Sequence, residues 1–266
     1  GGSMDKQTIA RLAAEFVQKE INYVSNDKAL NEELAGLKIF DEPIFAYGAA
    51  DDEGFQLLKS PSVIGEHFMM PKEWLQSANT VIVYFFPFTD EIREGNRTDM
   101  SWPSNEWLHG RIDGQIFMNE FNLFLNSKLN EEGYKSLVPG LDSRFKSEGF
   151  SSNWSERHVA FICGLGTFGL SKGIITQKGM AGRLGSIVTE LKLKSDIKKY
   201  NNIYEYCINC GICAENCPAG AISLEKGKDH KKCSDFLDKV KEKHKPYYGC
   251  GKCQVCVPCE NENPKD

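Results

Sequence analysis

The stretch "CGLGTFGLSKG", residues 163–173, decides what kind of sheet this chain can build. Gly164, Gly166 and Gly169 spell G-x-G-x-x-G, which in doubly wound folds ends a strand and opens a helix against a pyrophosphate. Such a site also wants an acid about 20 residues further on, and Glu190 stands in that place. The helix is what is missing. The following "LSKGIITQKGMAGRLGS" (170–186) carries Gly173, Gly179, Gly182 and Gly185, with β-branched Ile174, Ile175 and Thr176 between them. Each glycine costs a helix interior about 1 kcal/mol relative to alanine. The stretch reads instead as a glycine-rich loop followed by a short strand, "GIIT". Its backbone comes close to something bulky or packs tightly on a neighbouring sheet.

Working outward, the pattern is mixed. Residues 5–25 are patterned as an amphipathic helix, and "KIFDEPIFAYGAAD" (38–51) as a strand. Pro71 marks a helix start in "MMPKEWLQSA". "NTVIVYFFPF" (79–88) is an unbroken β-branched and aromatic run, which predicts a strand covered on both faces and ended by Pro87. Residues 104–134 predict a long helix, with Ile116, Phe117, Phe121, Leu123, Phe124 and Leu125 as its apolar positions. "YKSLVPG" predicts a short strand, Ser152 and Ser155 cap a helix running to Cys163, and residues 184–193 form a strand. The expected class is α+β, with an α/β domain followed by a small cysteine-rich one.

At 266 residues with 41% apolar side chains, the chain can bury a proper core. "GGS" before Met4 (residues 1–3) reads as a tag remnant. The leading helix has no secretory apolar core, and the run at 80–88 is too short to cross a bilayer, so a cytoplasmic protein without a membrane partner is expected. The net charge of −5 argues against a nucleic-acid partner. Lysines crowd the last third ("LKLKSDIKKY", "KGKDHKKC", "KVKEKHK"), either as a solvated helix face or as a docking surface for an acidic electron-transfer protein.

Nine of the ten cysteines lie between Cys207 and Cys259. In a chain read as cytoplasmic they are not disulfides. "CINCGICAENCPAGAI" places Cys207, Cys210, Cys213 and Cys217 in the order C-x2-C-x2-C-x3-C-P, the run that binds [4Fe–4S] clusters in bacterial ferredoxins. Three closely spaced thiolates wrap one cubane, and the fourth turns to a second. Zinc suits pairs of C-x-x-C but does not explain a triple repeat followed by Cys-Pro. Five cysteines remain for four places. Ferredoxin logic gives cluster one Cys207, Cys210, Cys213 and a late cysteine, and gives cluster two Cys217, Cys233, Cys250 and Cys253. Cys256 and Cys259 compete for the late place, and the neighbouring Pro258 favours Cys259. Two adjacent clusters form a wire for single electrons, the alternative being a structural staple.

"SNWSERHVAFICGLGTFGLSKGIITQKGMAGRLGSIVTELKL", the cysteine run and "YYGCGKCQVCVPCE" together resemble the epoxyqueuosine reductase and reductive dehalogenase superfamily over about residues 100–260. The resemblance implies a nitroreductase-like cobalamin- and substrate-binding domain (4–200) before a ferredoxin-like domain (201–266) with two [4Fe–4S] clusters. It implies that Gly164, Leu165, Gly166, Thr167, Phe168 and Gly169 line the corrin, with Gly182, Arg183, Gly185 and Ser186. Thr167-Phe168 replaces the family's usual tryptophan. The sequence stops seven residues after Cys259, where epoxyqueuosine reductases carry further repeats for tRNA, so tRNA is not the expected substrate. Asp113 in "HGRIDGQ", one residue out of the family's register, and Asp142 in "PGLDSRF" are the candidate proton donors, and His109, His158, Arg111 and Arg144 the candidate contacts. The expected function is a cobalamin-dependent iron–sulfur reductase of a small molecule, fed by a low-potential ferredoxin or flavodoxin. The alternative is an electron carrier, or a reductive activator of a corrinoid partner, with no substrate of its own.

Overall fold

The computed structural model describes residues 4–266; the leader read as a tag remnant lies outside them. Helix α1 (Lys6–Phe16) opens at Asp5, whose carboxylate accepts the N–H of Thr8 at 2.8 Å. It stops well short of residue 25. The cause is Asn22, which is fully buried and bonds the carbonyls of Val17 and Phe40 and the N–H of Phe40, so the chain there must turn toward the sheet.

Strand β1 (Ile44–Ala49), the short helices α2 (Glu53–Leu57) and α3 (Pro71–Trp74) and strand β2 (Thr80–Pro87) follow. Next come α4 (Asp90–Gly95), the long α5 (Asn105–Glu131), β3 (Ser136–Leu137) and a small hairpin, β4 (Ser147–Glu148) with β5 (Ser151–Ser152). Helix α6 (Glu156–Ile162) leads into a second hairpin, β6 (Thr167–Phe168) with β7 (Ile174–Ile175), and then β8 (Gly182–Thr189). The cysteine-rich end holds α7 (Ile212–Glu215), β9 (Ile222–Ser223), β10 (Gly227–Lys228) and α8 (His230–His244). The fold is mixed α+β. Among the described residues no helix is long and apolar enough to cross a membrane.

The main sheet runs β1-β2-β8-β3 and every pairing is antiparallel. An antiparallel sheet has no topological switch point of the kind that binds a dinucleotide. β2 is its centre, and its alternation serves two cores. Ile82, Tyr84 and Phe86 face α1 and α5, packing with Phe16, Phe117 and Phe121. Val81, Val83 and Phe85 face the other layer, with Trp154, Val159 and Ala46.

The opening glycine stretch is the β6–β7 hairpin and its approach. A Cβ on Gly166 would overlap the carbonyl oxygen of Ile175 across the hairpin, so only glycine lets the strands close. Gly166→Ala should therefore cost about 1–3 kcal/mol by overpacking, read as a lower urea midpoint with an unchanged slope.

Candidate cofactor and substrate site

Two cavities each gather four cysteines. Cys207, Cys210, Cys213 and Cys259 line one, beside Gly169, Ile175 and Pro258. Cys217, Cys233, Cys250 and Cys253 line the other, a space of about 180 Å³ that also meets Trp107, Arg111, Gly182 and Arg183. Cys256 lines neither and is exposed. Among the described residues no three cysteine, histidine or carboxylate side chains converge where one metal ion could sit. A zinc ion draws its thiolates to about 2.3 Å from a single centre, whereas a cubane binds each thiolate to a different iron. Burial above all, with neighbouring thiols adding, pushes Cys213 up to about 11 and Cys259 to about 12. Burial also leads at Cys250, which rises to about 12. Ligating iron must strip these protons, so loading is pH-dependent.

The tail that supplies the late cysteines is held by a buried ion cluster. Glu260 receives Arg93 Nη1 at 2.9 Å, Arg97 Nε at 3.1 Å and the N–H of Cys256 at 2.9 Å. Burial alone would raise its pKa, but Arg97, the Cys256 N–H and Arg93 together hold the carboxyl below the usual range. Nearby, buried Lys252 donates to Asn96 O (2.6 Å) and Oδ1 (2.7 Å), and Asn96 Nδ2 donates to the Cys250 carbonyl at 2.9 Å. Gly251, with φ +64°, lies so close to the Trp107 ring that a Cβ would overlap it. Met180 and Ala181, just before β8, donate to the carbonyls of Cys259 and Glu260.

A third cavity, of about 460 Å³, opens between α5, α6 and the start of β8. Gln115, Asn119 and Asn122 of α5 face it, as do Glu156, Arg157, Arg183 and the aromatic Phe85 and Trp154. Gly182, Arg183 and Gln254 line both this cavity and the second cysteine cavity, forming a thin wall between them. Arg183 bonds Gln115, and burial first, then the nearby Arg111, lowers its pKa to about 9. Gln254 Oε1 is buried with no hydrogen-bond partner among the described residues. An orphaned acceptor in a wall between two cavities suits a ligand that brings a donor. A corrin, a macrocycle rimmed with amides, matches this carboxamide-rich lining.

Several expected site residues stand elsewhere. Gly166, Thr167 and Phe168 line none of these spaces: they are buried under the cysteine loop, where Thr167 Oγ1 accepts the Tyr206 N–H at 2.9 Å. Gly169 lines the first cysteine cavity, and Gly164 and Leu165 a separate surface cleft. The close approach that demands glycine at 166 is to the protein's own hairpin. Gly182 and Arg183 do reach the large cavity; Gly185 and Ser186 stand just behind its wall, against Asn122 and Glu156.

The candidate acids also fall away from the cavity. Asp113 is buried inside the packing of α5, accepting from His109 Nδ1 (2.6 Å) and the Tyr247 hydroxyl (3.2 Å). His109 Nε2 accepts the Leu30 N–H, so this is a structural clamp. Asp142 is paired with Arg144, which holds its carboxyl below the usual range, the opposite of what a proton donor needs. Arg144 itself bonds the carbonyls of Glu73 and Trp74. His158, lowered to about 4 by burial and then Arg157, bonds Ser155. Arg111 reaches Tyr248 beside the second cysteine cavity. The acid that does face the large cavity, Glu156, reads in the sequence as an ordinary first-turn helix residue; only its tertiary setting distinguishes it.

The 4Fe-4S binding domain family matches residues 201–223. An epoxyqueuosine reductase of Bacillus anthracis is 30% identical over 151 residues, 52% of this chain. That match spans 38% of the relative's length. A trichloroethene reductive dehalogenase of Dehalococcoides mccartyi is 29% identical over 126 residues, 47% of this chain and 21% of its own. The solved epoxyqueuosine reductase of Streptococcus thermophilus has the same fold at TM-score 0.52 and 20% identity, covering 98% of this chain and 68% of that one. The chain is thus similar to the epoxyqueuosine reductase and reductive dehalogenase superfamily.

The ion cluster under the tail can be tested directly. Glu260→Ala strands Arg93 in a buried place and should cost about 3–5 kcal/mol in chemical denaturation. Because the folded pKa of Glu260 is depressed, its stabilisation is present above about 4.5 and is lost as pH falls through the folded value. Acid titration of stability should therefore be shallower in the variant than in the wild type.

Proposed function

We propose that this chain is an iron–sulfur reductase that moves single electrons from a low-potential ferredoxin or flavodoxin, by way of two [4Fe–4S] clusters and a cobalamin, to a small-molecule substrate. Cys207, Cys210, Cys213 and Cys259 would hold the first cluster, and Cys217, Cys233, Cys250 and Cys253 the second, within a ferredoxin-like segment 201–266. The observation that carries the reading is the shared wall: Gly182, Arg183 and Gln254 separate the second set of four cysteines from the 460 Å³ cavity. An electron leaving that set has one layer of residues to cross.

Cobalamin, when bound, supplies a metal centre that accepts single electrons and reduces a substrate by two. The residues that would hold it are the carboxamides Gln115, Asn119 and Asn122, with Arg183 and the unpaired Gln254 oxygen. The protein's part is to orient the macrocycle by amide hydrogen bonds and to keep water from its face with Phe85, Phe145 and Trp154. The acidic net charge favours a small molecule over tRNA as substrate.

Anaerobic reconstitution with iron, sulfide and cobalamin should yield about eight irons per chain, two cubanes of four, and a retained corrinoid. Cys256→Ala should keep all the iron and Cys259→Ala should lose about half. A colourless protein carrying zinc would overturn the reading, and iron without corrinoid would leave an electron carrier.

A further inference from the structure

Among the described residues lining the large cavity, Glu156 is the one carboxyl group. It begins α6 and is held by a one-way chain of hydrogen bonds. Trp154 Nε1, which can only donate, gives its proton to Ser186 Oγ at 2.9 Å. Ser186 is fully buried, and its single proton goes to Glu156 Oε2 at 2.6 Å. The chain is rigid because Trp154 is stacked on Phe55 and Phe68 and met edge-on by Trp74. Oε2 is thus occupied as an acceptor. Oε1 makes no hydrogen bond among the described residues and lies toward Gly140, another residue of the cavity lining.

We propose that Glu156 is the proton donor of this cavity, delivering the proton on Oε1 to a substrate as it is reduced. The role rests on the reductase reading above for the source of electrons. In the step R–X + 2e⁻ + H⁺ → R–H + X⁻, two electrons arrive from two one-electron carriers outside the protein. The C–X bond breaks, X leaves as an anion, and the new C–H bond takes the proton of Glu156. The carboxylate then regains a proton from water at the cavity mouth.

Arg157 on its own helix and Arg183 on β8 share the cavity with Glu156. Tyr84 of β2 and the Cys163 thiol are close enough to feel its charge, and His158 on the same helix is neutral at pH 7. Asp142 and Arg144 neutralise each other outside the cavity. Burial prevails over the Ser186 hydrogen bond, which works the other way, and lifts the carboxyl to about 7. A group poised there both holds and releases a proton near neutrality.

Infrared titration from pH 5 to 9, in H₂O and D₂O, tests this without turnover. The wild type should show a carboxylic acid C=O band that disappears with a midpoint near 7, and Glu156→Gln should lack it. Ser186→Ala, which leaves the acid in place, should raise the midpoint, since it removes a bond that favours the ionised form. A midpoint in the ordinary carboxylate range would overturn the proposal, as would a band that does not shift on transfer to D₂O. Cobalamin added to the wild type should move the band. If the corrinoid is retained and the band stays put, Glu156 does not meet the ligand and the proposal fails. A titrating band in a protein that retains neither iron nor corrinoid sinks the reductase reading instead.

Discussion

One buried carboxylate ties the C-terminal segment to α4. Glu260 sits four residues past Cys256 in sequence, yet its partners Arg93 and Arg97 belong to α4 and the turn after it. A buried acid between two guanidiniums is costly to desolvate and is tolerated only when its partners are all in place. That all-or-none character makes it a register device. It fixes where the last turn of chain lies and so where Cys253 and Cys259 point. Lys252 on Asn96 and the close seat of Gly251 on Trp107 repeat the same attachment a few residues earlier.

The sheet then sets the distances that matter for chemistry. β8 pairs with β2 from Gly182 onward, Phe86 opposite Arg183. Its first residues therefore emerge where the cysteine-rich end meets the carboxamide face of α5. A longer loop before β8 would separate the two cavities; the strand instead makes their common wall. The same strand carries Ser186 two layers behind, where it connects the aromatic stack around Trp154 to Glu156.

Much of the architecture is legible in the sequence because it depends on local pattern. The apolar run at 79–88 has too little polarity for any place but the centre of a sheet, and β2 is buried along nearly its whole length. The long helix is marked by its spaced phenylalanines, and the helix starts at Pro71 and Ser155 by the residues that open them. The glycines of 164–185 show that a helix is not formed there. What they approach is not legible, since a close backbone contact looks the same in sequence whether its partner is a cofactor or a neighbouring strand. Gly166 needs its small size for Ile175, nine residues further on, and no local rule names that partner. Helix α1 ends early for the same kind of reason: Asn22 answers to Phe40, far along the chain.

By itself the sequence determines that cysteines at these spacings gather on tight loops, that the protein builds a mixed α+β core, and that no helix follows the glycine motif. Those outcomes depend on spacing, propensity and apolar periodicity, all of them properties of neighbours along the chain. The tertiary structure decides which acid matters. Asp113 and Asp142 look like proton donors in sequence, but one is clamped by His109 and Tyr247 and the other is neutralised by Arg144. Glu156 looks like a helix-start residue, and it is folding that half-buries it against Ser186 at the edge of a cavity. A carboxyl group's readiness to hold a proton is set by desolvation and by charges brought from distant segments, and neither exists until the chain has folded.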